Sequence, residues 1–490
     1  VRASLAAIGV AADDGLVYLL DLLGLGEPVD LLEARSPDTI RTRTFDLLRR
    51  LYVSLSQERP LILAVEDLHW IDKTSEEFLA SLVEHLPTSR ILFVATYRAG
   101  YRPSWVEKSY TTQIALPSLS PEESQGLLDS VLPPDRLPQS LAPIILAKAE
   151  GNPFFLEELA RAVSRDTDAR TITVPDTIED VLMTRIHQLP AEARRPLQLA
   201  SVCGREMSRP LLEEIWDEPH DLEPHLRELV QREFVRLRTG PETTVCAFAH
   251  ALTHEVAYRS LFDETRRRVH ERVARALASR FSQVMDTQPE LLAHHYTNAG
   301  LAGPAVKHWL RAGQQARARS AYTEAISHLT QGLEGLTALP ESRERTDLEI
   351  ELQLALGSSL GAIKSFGSPG VDQAYRRAQD LAREIGQSSR LFDALAGLQT
   401  RDFVRGELGR AQELASQCLT LAAYSGEPSV LYRSSNAMGG VLGHDGGPAS
   451  GQEHLERAIA LVEADKSRPF PHRPSVFHPL VFALSYNSWA

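Results

Sequence analysis

The stretch LILAVEDLHWID, residues 61–72, decides the fold class. Five apolar residues, Leu61, Ile62, Leu63, Ala64 and Val65, run unbroken into two carboxylates, Glu66 and Asp67. A short apolar run bounded by polar residues predicts a strand buried on both faces, as parallel strands are. A second run, Ile91 to Thr96, ends in Tyr97-Arg98. Between the two, Thr74 and Glu77 stand at capping-box spacing and predict a helix reaching about Leu86-Pro87. Ser36 to Ser56 reads as an earlier helix with Phe45, Leu48, Leu51, Tyr52 and Leu55 on one face, broken by Arg59-Pro60. Gln113 to Leu116 is a candidate third strand. Strands alternating with helices predict a doubly wound parallel sheet, and acids at the carboxyl ends of such strands sit where these sheets bind ligands.

Composition narrows the class. A length of 490 residues suggests about three domains. The hydrophobic share of 43% is that of a globular protein, and no apolar run approaches the roughly 20 residues that cross a bilayer. Cys203, Cys246 and Cys418 are few and scattered, which points to a reducing, cytoplasmic setting without a disulfide framework. A formal charge of −13 argues against a chain-wide nucleic-acid surface. The chain opens at Val1 without a leader and ends at NSWA within a helical pattern, so an internal fragment of a larger protein is expected.

After Pro117 the texture becomes helical. Ser120 and Glu123 form a second capping box, with Pro121 at the first helical position. Helical pattern continues to about Ser164, and the polar segment Arg165 to Pro175 reads as a linker. From Asp176 to about Asp263, helices flank two β-like pieces, REFVRL (232–237) and TVCAFAH (244–250), around the turn Thr239-Gly240-Pro241; helices followed by a small hairpin suggest a winged helix. Beyond Thr265 the segments AYTEAISHLTQGLEGL (321–336), AYRRAQDLAREIG (374–386), GRAQELASQCLTLA (409–422) and GQEHLERAIALVEA (451–464) resemble one another. Their spacing of roughly 35 to 50 residues fits helix pairs of the tetratricopeptide kind. The elements predict an α/β region with a parallel sheet over 1–117, an all-α segment over 118–164, a linker over 165–175, a winged helix over 176–265 and TPR-like helical repeats over 266–490.

Each candidate site residue has a structural reading beside its chemical one. Glu66 and Asp67 are either two exposed acids where a strand leaves a sheet or the acids of a Walker B strand. In the second case one holds the water shell of Mg²⁺ and the next polarises an attacking water. Arg98 is either a surface arginine or a γ-phosphate sensor at the end of the neighbouring strand, a role suited to its planar fork. Gly151-Asn152-Pro153 ends one helix and caps the next, and a proline held there can also pack on a purine. His250 and His254 are four apart, but the zinc-protease order H-E-x-x-H is not met. Gly357-Ser358-Ser359-Leu360-Gly361 spells G-x-S-x-G after a helical segment, where a nucleophile elbow needs a strand. The arginines Arg266, Arg267, Arg268, Arg272, Arg275 and Arg280 read as a solvated helix face. No G-x-x-x-x-G-K-[ST] occurs, and Gly24-Leu25-Gly26 does not replace it. Without that phosphate cradle, weak or undetectable nucleotide binding is expected of this chain alone.

Taken together, VEDLHWID (65–72), ILFVATYRAGYRPSW (91–105), GNPFFLEEL (151–159), VPDTIEDVLMTRIHQLP (174–190), LQLASVCGRE (197–206), FAHALTHEVAYRSL (248–261) and LLAHHY (291–296) carry a family likeness. The chain resembles signal-transducing STAND-type, AAA-like P-loop ATPases of the branch fused to bacterial class III adenylate/guanylate cyclases or to LuxR-type regulators, here lacking Walker A. The resemblance implies an incomplete α/β P-loop core with a parallel sheet at 1–117, an all-α lid at 118–164, then a winged helix and a TPR-like α-superhelix, working as an ATP/ADP switch with Mg²⁺. Glu66 matches the magnesium-associated acid and Asp67 the water-polarising one, roles that exchange if the usual Asp-first order governs. Arg98 matches the sensor arginine and Pro153 the proline near adenine. His250 matches the winged-helix histidine that touches the ADP β-phosphate, although the following residue is Ala251 where relatives carry Asp. The implied partners are a nucleotide, a protein or small-molecule signal on the repeats, and a linked output domain, more in the cyclase spelling than the LuxR one; no membrane is involved. A LuxR-type transcriptional regulator and a TPR-type interaction scaffold without ATPase activity are the alternatives.

Overall fold

A computed structural model of the chain describes residues 12–22, 37–132, 141–165, 177–219, 221–239, 244–281, 287–445 and 447–464. Both chain ends, Gly24-Leu25-Gly26, the turn at Gly240-Pro241 and the linker expected at 165–175, apart from Arg165, lie outside the described residues. The chain is mostly helical, with a small parallel sheet towards its N-terminus and a long run of helix pairs towards its C-terminus. It divides into two compact units: Val1–Thr112 with Thr287–Ala293 and Ala302–Ala490, and Gln113–Asp286 with His294–Leu301.

In the first unit, helices α1 (Ala12–Leu22) and α2 (Pro37–Glu58) share a core of Leu16, Tyr18, Leu19 and Leu47. Strand β1 (Leu61–Val65) follows, then helix α3 (Lys73–Val83), then strand β2 (Ile91–Ala95). The strands pair in parallel with Leu61 opposite Ile91 and Val65 opposite Ala95. Phe78 of α3 meets Phe45 and Tyr52 of α2, with ring centroids 5.5 and 6.4 Å apart.

Three local expectations are corrected here. The strands are not buried on both faces: burial alternates along each, because α3 and residues 97–105 cover only the side of Leu63, Val65, Phe93 and Ala95. Ile62, Ala64, Leu92 and Val94 face outward. Helix α3 is capped by Asp72, whose side chain accepts from the Ser75 N–H at 2.8 Å, and not by the Thr74–Glu77 box. Two overlapping cap signals compete there, and the earlier one wins because the Thr74 amide is claimed elsewhere. Gln113 to Leu116 forms no strand, and Ile114 and Leu116 are exposed.

The second part of this unit is a row of helices: α14 (Ala302–Ala318), α15 (Tyr322–Leu336), α16 (Arg343–Lys364), α17 (Pro369–Glu384), α18 (Ser388–Val404), α19 (Leu408–Ser425), α20 (Pro428–His444) and α21 (Pro448–Ala464). Each packs on the next, and α14, α16, α18 and α20 also touch in turn, as stacked pairs require. The first helices of the pairs recur at about 40 to 45 residues, longer than the 34 of a tetratricopeptide unit. Glycines make the close approaches. Tyr375 lies between Gly357 and Gly397, and a Cβ on Gly357 would come within 2.9 Å of its ring. The G-x-S-x-G spelling is thereby explained: it sits inside α16 and makes room for Tyr375 and Phe366.

In the second unit, α4 (Pro121–Val131), α5 (Ala142–Ala149) and α6 (Pro153–Arg165) share a core of Leu128, Ile145, Leu156 and Leu159 with Val181. Val181 comes from the next helix, α7 (Ile178–His187). The Ser120–Glu123 capping box is formed in full, at 2.8 and 3.2 Å. After α7 come α8 (Ala191–Cys203), β3 (Glu206–Ser208), α9 (Arg209–Glu214), α10 (Glu223–Gln231), the hairpin β4 (Val235–Thr239) and β5 (Thr244–Phe248), α11 (Ala251–Arg259) and α12 (Asp263–Arg280). The strands form one antiparallel sheet in the order β3-β5-β4. Phe234, Cys246, Leu197, Leu212 and Leu226 are buried in this region. Helix α13 (Pro289–Asn298) follows α12.

Candidate functional site

Glu66 and Asp67 leave the sheet at the carboxyl end of β1, and Thr96, Tyr97 and Arg98 leave it at the same end of β2. The two exits are tied together. The Thr96 N–H donates to the Val65 carbonyl at 3.0 Å, the Asp67 N–H to the Thr96 hydroxyl at 3.1 Å, and the Leu68 N–H to the Thr96 carbonyl at 2.8 Å. Asp67 is held in the left-handed region, φ 54° and ψ 40°. That conformation is unfavourable for most side chains, though Asp and Asn tolerate it best, and it turns the chain abruptly off the strand. A turn of 3₁₀ helix, Leu68–Trp70, follows, with Leu68 buried beneath it. The result is a stiff corner that presents an exposed Glu66 and a half-buried Asp67 where the strands end. Arg98 is exposed two residues beyond Thr96.

Neither Thr96 nor His69 carries a role of its own in the motif reading. Thr96 is the clamp described above; its only signal was a polar residue ending the second apolar run. The His69 ring leans on Trp70 at 4.7 Å, and both its nitrogens are buried without a hydrogen-bond partner among the described residues. Such a group calls for a further partner. Tyr101 donates to Glu76 at 2.9 Å, and burial first, then this carboxylate, pushes its hydroxyl up to about 12.

The other two candidate residues belong to the second unit. Gly151 takes φ +72°, where a Cβ would lie 2.5 Å from the Leu119 carbonyl oxygen. Asn152 caps α6 by accepting from the Phe155 N–H at 3.1 Å, and Pro153 takes the first turn. The next ring, Phe154, packs on His250 with centroids 4.2 Å apart, so the Pro153 turn and His250 are neighbours. His250 precedes α11, and burial lowers its pKa, partly offset by Glu158. His254, one turn on, has its Nε2 on the Ser201 carbonyl at 2.9 Å and its ring on Phe248. The arginine run is largely paired: Arg266 with Asp263, Arg272 with Asp217, Arg275 with Glu271 and Arg280 with Glu214.

Among the described residues no three His, Cys, Asp or Glu side chains converge to cage a metal. Residues 5–94 match the AAA ATPase domain. The acid corner lies inside this AAA ATPase segment and Arg98 just beyond it. Over nearly its whole length the chain is 26% identical to an uncharacterized protein of Rhizobium meliloti (strain 1021), covering 94% of this chain and 45% of that protein. The chain thus spans about half the length of that relative. Among solved structures it is similar to a signal transduction ATPase with numerous domains bearing a tetratricopeptide repeat sensor, from Pyrococcus horikoshii. That match has 13% identity and a TM-score of 0.37, covering 98% of this chain and 72% of that one. It is also similar to BtubC from P. vanneervenii, at 13% identity and a TM-score of 0.29, covering 62% and 98%. Neither score is high enough to carry an argument. Among the described residues no helix is long and apolar enough to cross a membrane.

Proposed function

We propose that the chain is the catalytic-acid half and the sensor region of an ATP-dependent signalling switch of the STAND kind. The observation that carries this reading is the pair of carboxylates on a strained corner at the carboxyl edge of two parallel strands, within a segment matching the AAA ATPase domain. In this reading Glu66 would hold Mg²⁺ through its waters, Asp67 would polarise the attacking water, and Arg98 would sense the γ-phosphate. Magnesium, when bound, would supply neutralisation of the phosphate charge. The three-stranded sheet with α8 to α11 acts as a winged helix. Pro153 and His250, gathered around Phe154, contact the adenine side and the β-phosphate of ADP. Functional boundaries follow the core, lid, linker, winged helix and repeats at 1–117, 118–164, 165–175, 176–265 and 266–490.

ATP and ADP shift the population between a closed and an open arrangement, since each nucleotide binds the two differently. The helix pairs α14 to α21 take the signal, and a linked output domain, a nucleotide cyclase by the spelling of residues 91–105, reads the state. The test uses the full-length protein. Asp67→Asn should keep nucleotide binding by calorimetry and lose phosphate release. Unchanged release removes Asp67 from catalysis, and absence of nucleotide binding in the parent protein removes the switch.

A further inference from the structure

The first turn of α3 is held by a residue 250 positions away. Glu324, in the first turn of α15, accepts from the Thr74 backbone N–H at 3.2 Å and from the Thr74 hydroxyl at 3.3 Å through the same oxygen, Oε1. The Thr74 N–H is one of the amides that a helix leaves unpaired at its N-terminus, and the positive end of the helix dipole favours a carboxylate there. Asp72 already serves the neighbouring Ser75 amide at 2.8 Å. The second Glu324 oxygen, Oε2, is buried without a partner among the described residues, so the carboxylate is committed to this contact and not to solvent. One turn along α15, His328 stacks on Trp309 of α14 at 5.4 Å, fixing the helix face that carries Glu324.

Only four residues separate Asp67 from Asp72, and three of them form the 3₁₀ turn anchored by Leu68 to Thr96. A displacement of the first turn of α3 therefore reaches the acid corner with little slack. Within the same turn Lys73 binds Glu76 at 3.0 Å, and Tyr101, from the segment after β2, donates to Glu76 at 2.9 Å, so the turn is gripped from the core as well as from the repeats. We propose that Glu324 is a positioning residue: through Thr74 it sets the acid corner in its working geometry, so that a ligand moving α14 and α15 changes turnover. This rests on the nucleotide reading above and names how the repeats reach its acids.

The experiment compares Glu324→Ala, Glu324→Gln and Thr74→Val in the full-length protein by steady-state phosphate release and by amide hydrogen exchange. Alanine removes the acceptor; glutamine keeps an acceptor oxygen without the charge. In Glu324→Ala the expected result is a kcat about tenfold lower with KM for Mg·ATP within about twofold. Exchange at Thr74 and across residues 66–72 should be faster, with most of both effects recovered in Glu324→Gln. Thr74→Val, which keeps the amide, should show a smaller loss. Turnover within twofold of the parent in Glu324→Ala, or exchange unchanged across 66–74, overturns the proposal. If the parent protein shows no turnover, the nucleotide reading fails, and the exchange arm alone decides the role of Glu324.

Discussion

The acid corner after β1 and the ionic cluster behind α6 treat charge in opposite ways. Glu66 is exposed, and Asp67 is held in a left-handed conformation by a backbone bond to a threonine. Glu158 and Arg185, by contrast, are both almost fully buried and paired. Arg185 also donates to the Arg232 carbonyl at 2.8 Å and lies over the Phe234 ring at 4.7 Å. The first arrangement sets two acids on a left-handed corner at the end of a strand; the second consumes its charge in joining α6, α7 and the start of β4. Left-handed corners at non-glycine residues cluster at functional sites. Buried and paired charges have a geometry to keep.

The largest effects should separate the two. Glu158→Ala leaves a buried guanidinium uncompensated and should cost about 3–5 kcal/mol of stability, read by urea unfolding. The joint replacement of Glu158 by Leu and Arg185 by Met should recover most of it, and a single variant that costs nothing would place this pair with the surface ones. Asp67→Asn should do the reverse, with stability within about 0.5 kcal/mol of the parent. Asparagine tolerates the left-handed corner, while phosphate release should fall at least about 100-fold. A stability loss comparable to that of Glu158→Ala would show that Asp67 is structural.

A third contrast is pH. His270 and His295 are buried side by side, Nδ1 to Nδ1 at 2.9 Å, and Tyr258 meets His270 Nε2 at 2.9 Å. One Nδ1 must donate and the other accept, so the pair works as neutral rings. Burial, then the neighbouring histidines and for His270 also Arg266, lowers His270 to about 4 and His295 to about 3. Both lie below the usual 6.5, so the unfolded chain takes up protons first as pH falls. Their stabilisation is complete above about pH 6.5 and is lost progressively towards pH 4. The second unit should lose about 4 kcal/mol between pH 7 and 5, about 2 for each histidine, seen as a falling melting temperature, and His270→Phe should flatten the profile. A profile equally steep in that variant would assign the effect to other groups.

What was legible in the sequence was whatever a local pattern encodes. An apolar run ending in acids placed Glu66 and Asp67 at a strand tip, a second run brought Thr96 and Arg98 to the same edge, and Ser120 with Glu123 formed its box. What escaped depends on groups far apart in the chain. Thr74 lost its box because Glu324 claims its amide. Residues 113–116 had strand-like composition but no partner strand among the described residues. The three-residue β3 is too short to read from sequence and exists because β5 offers it an edge. Burial on both faces of β1 and β2 was inferred from apolarity alone, yet only one face is covered. The approach of Phe154 to His250 was likewise hidden, although both residues lay in segments whose family likeness was evident.

The smallest predicted effect cuts most directly between strain and function. Glycine adopts the left-handed region without the steric penalty that a Cβ meets, so Asp67→Gly relieves the corner. It also frees the unfolded chain, which opposes the gain. The local relief should win, because φ 54° is imposed here by the clamp to Thr96. The expected outcome is a stability gain of at most about 1 kcal/mol in urea, together with loss of phosphate release as deep as that of Asp67→Asn. A variant both more stable and inactive would mean that the corner keeps its strain for the sake of the carboxylate. A destabilised variant would mean that the Asp67 side chain is itself a strut, and the acid corner would then resemble the buried pair after all.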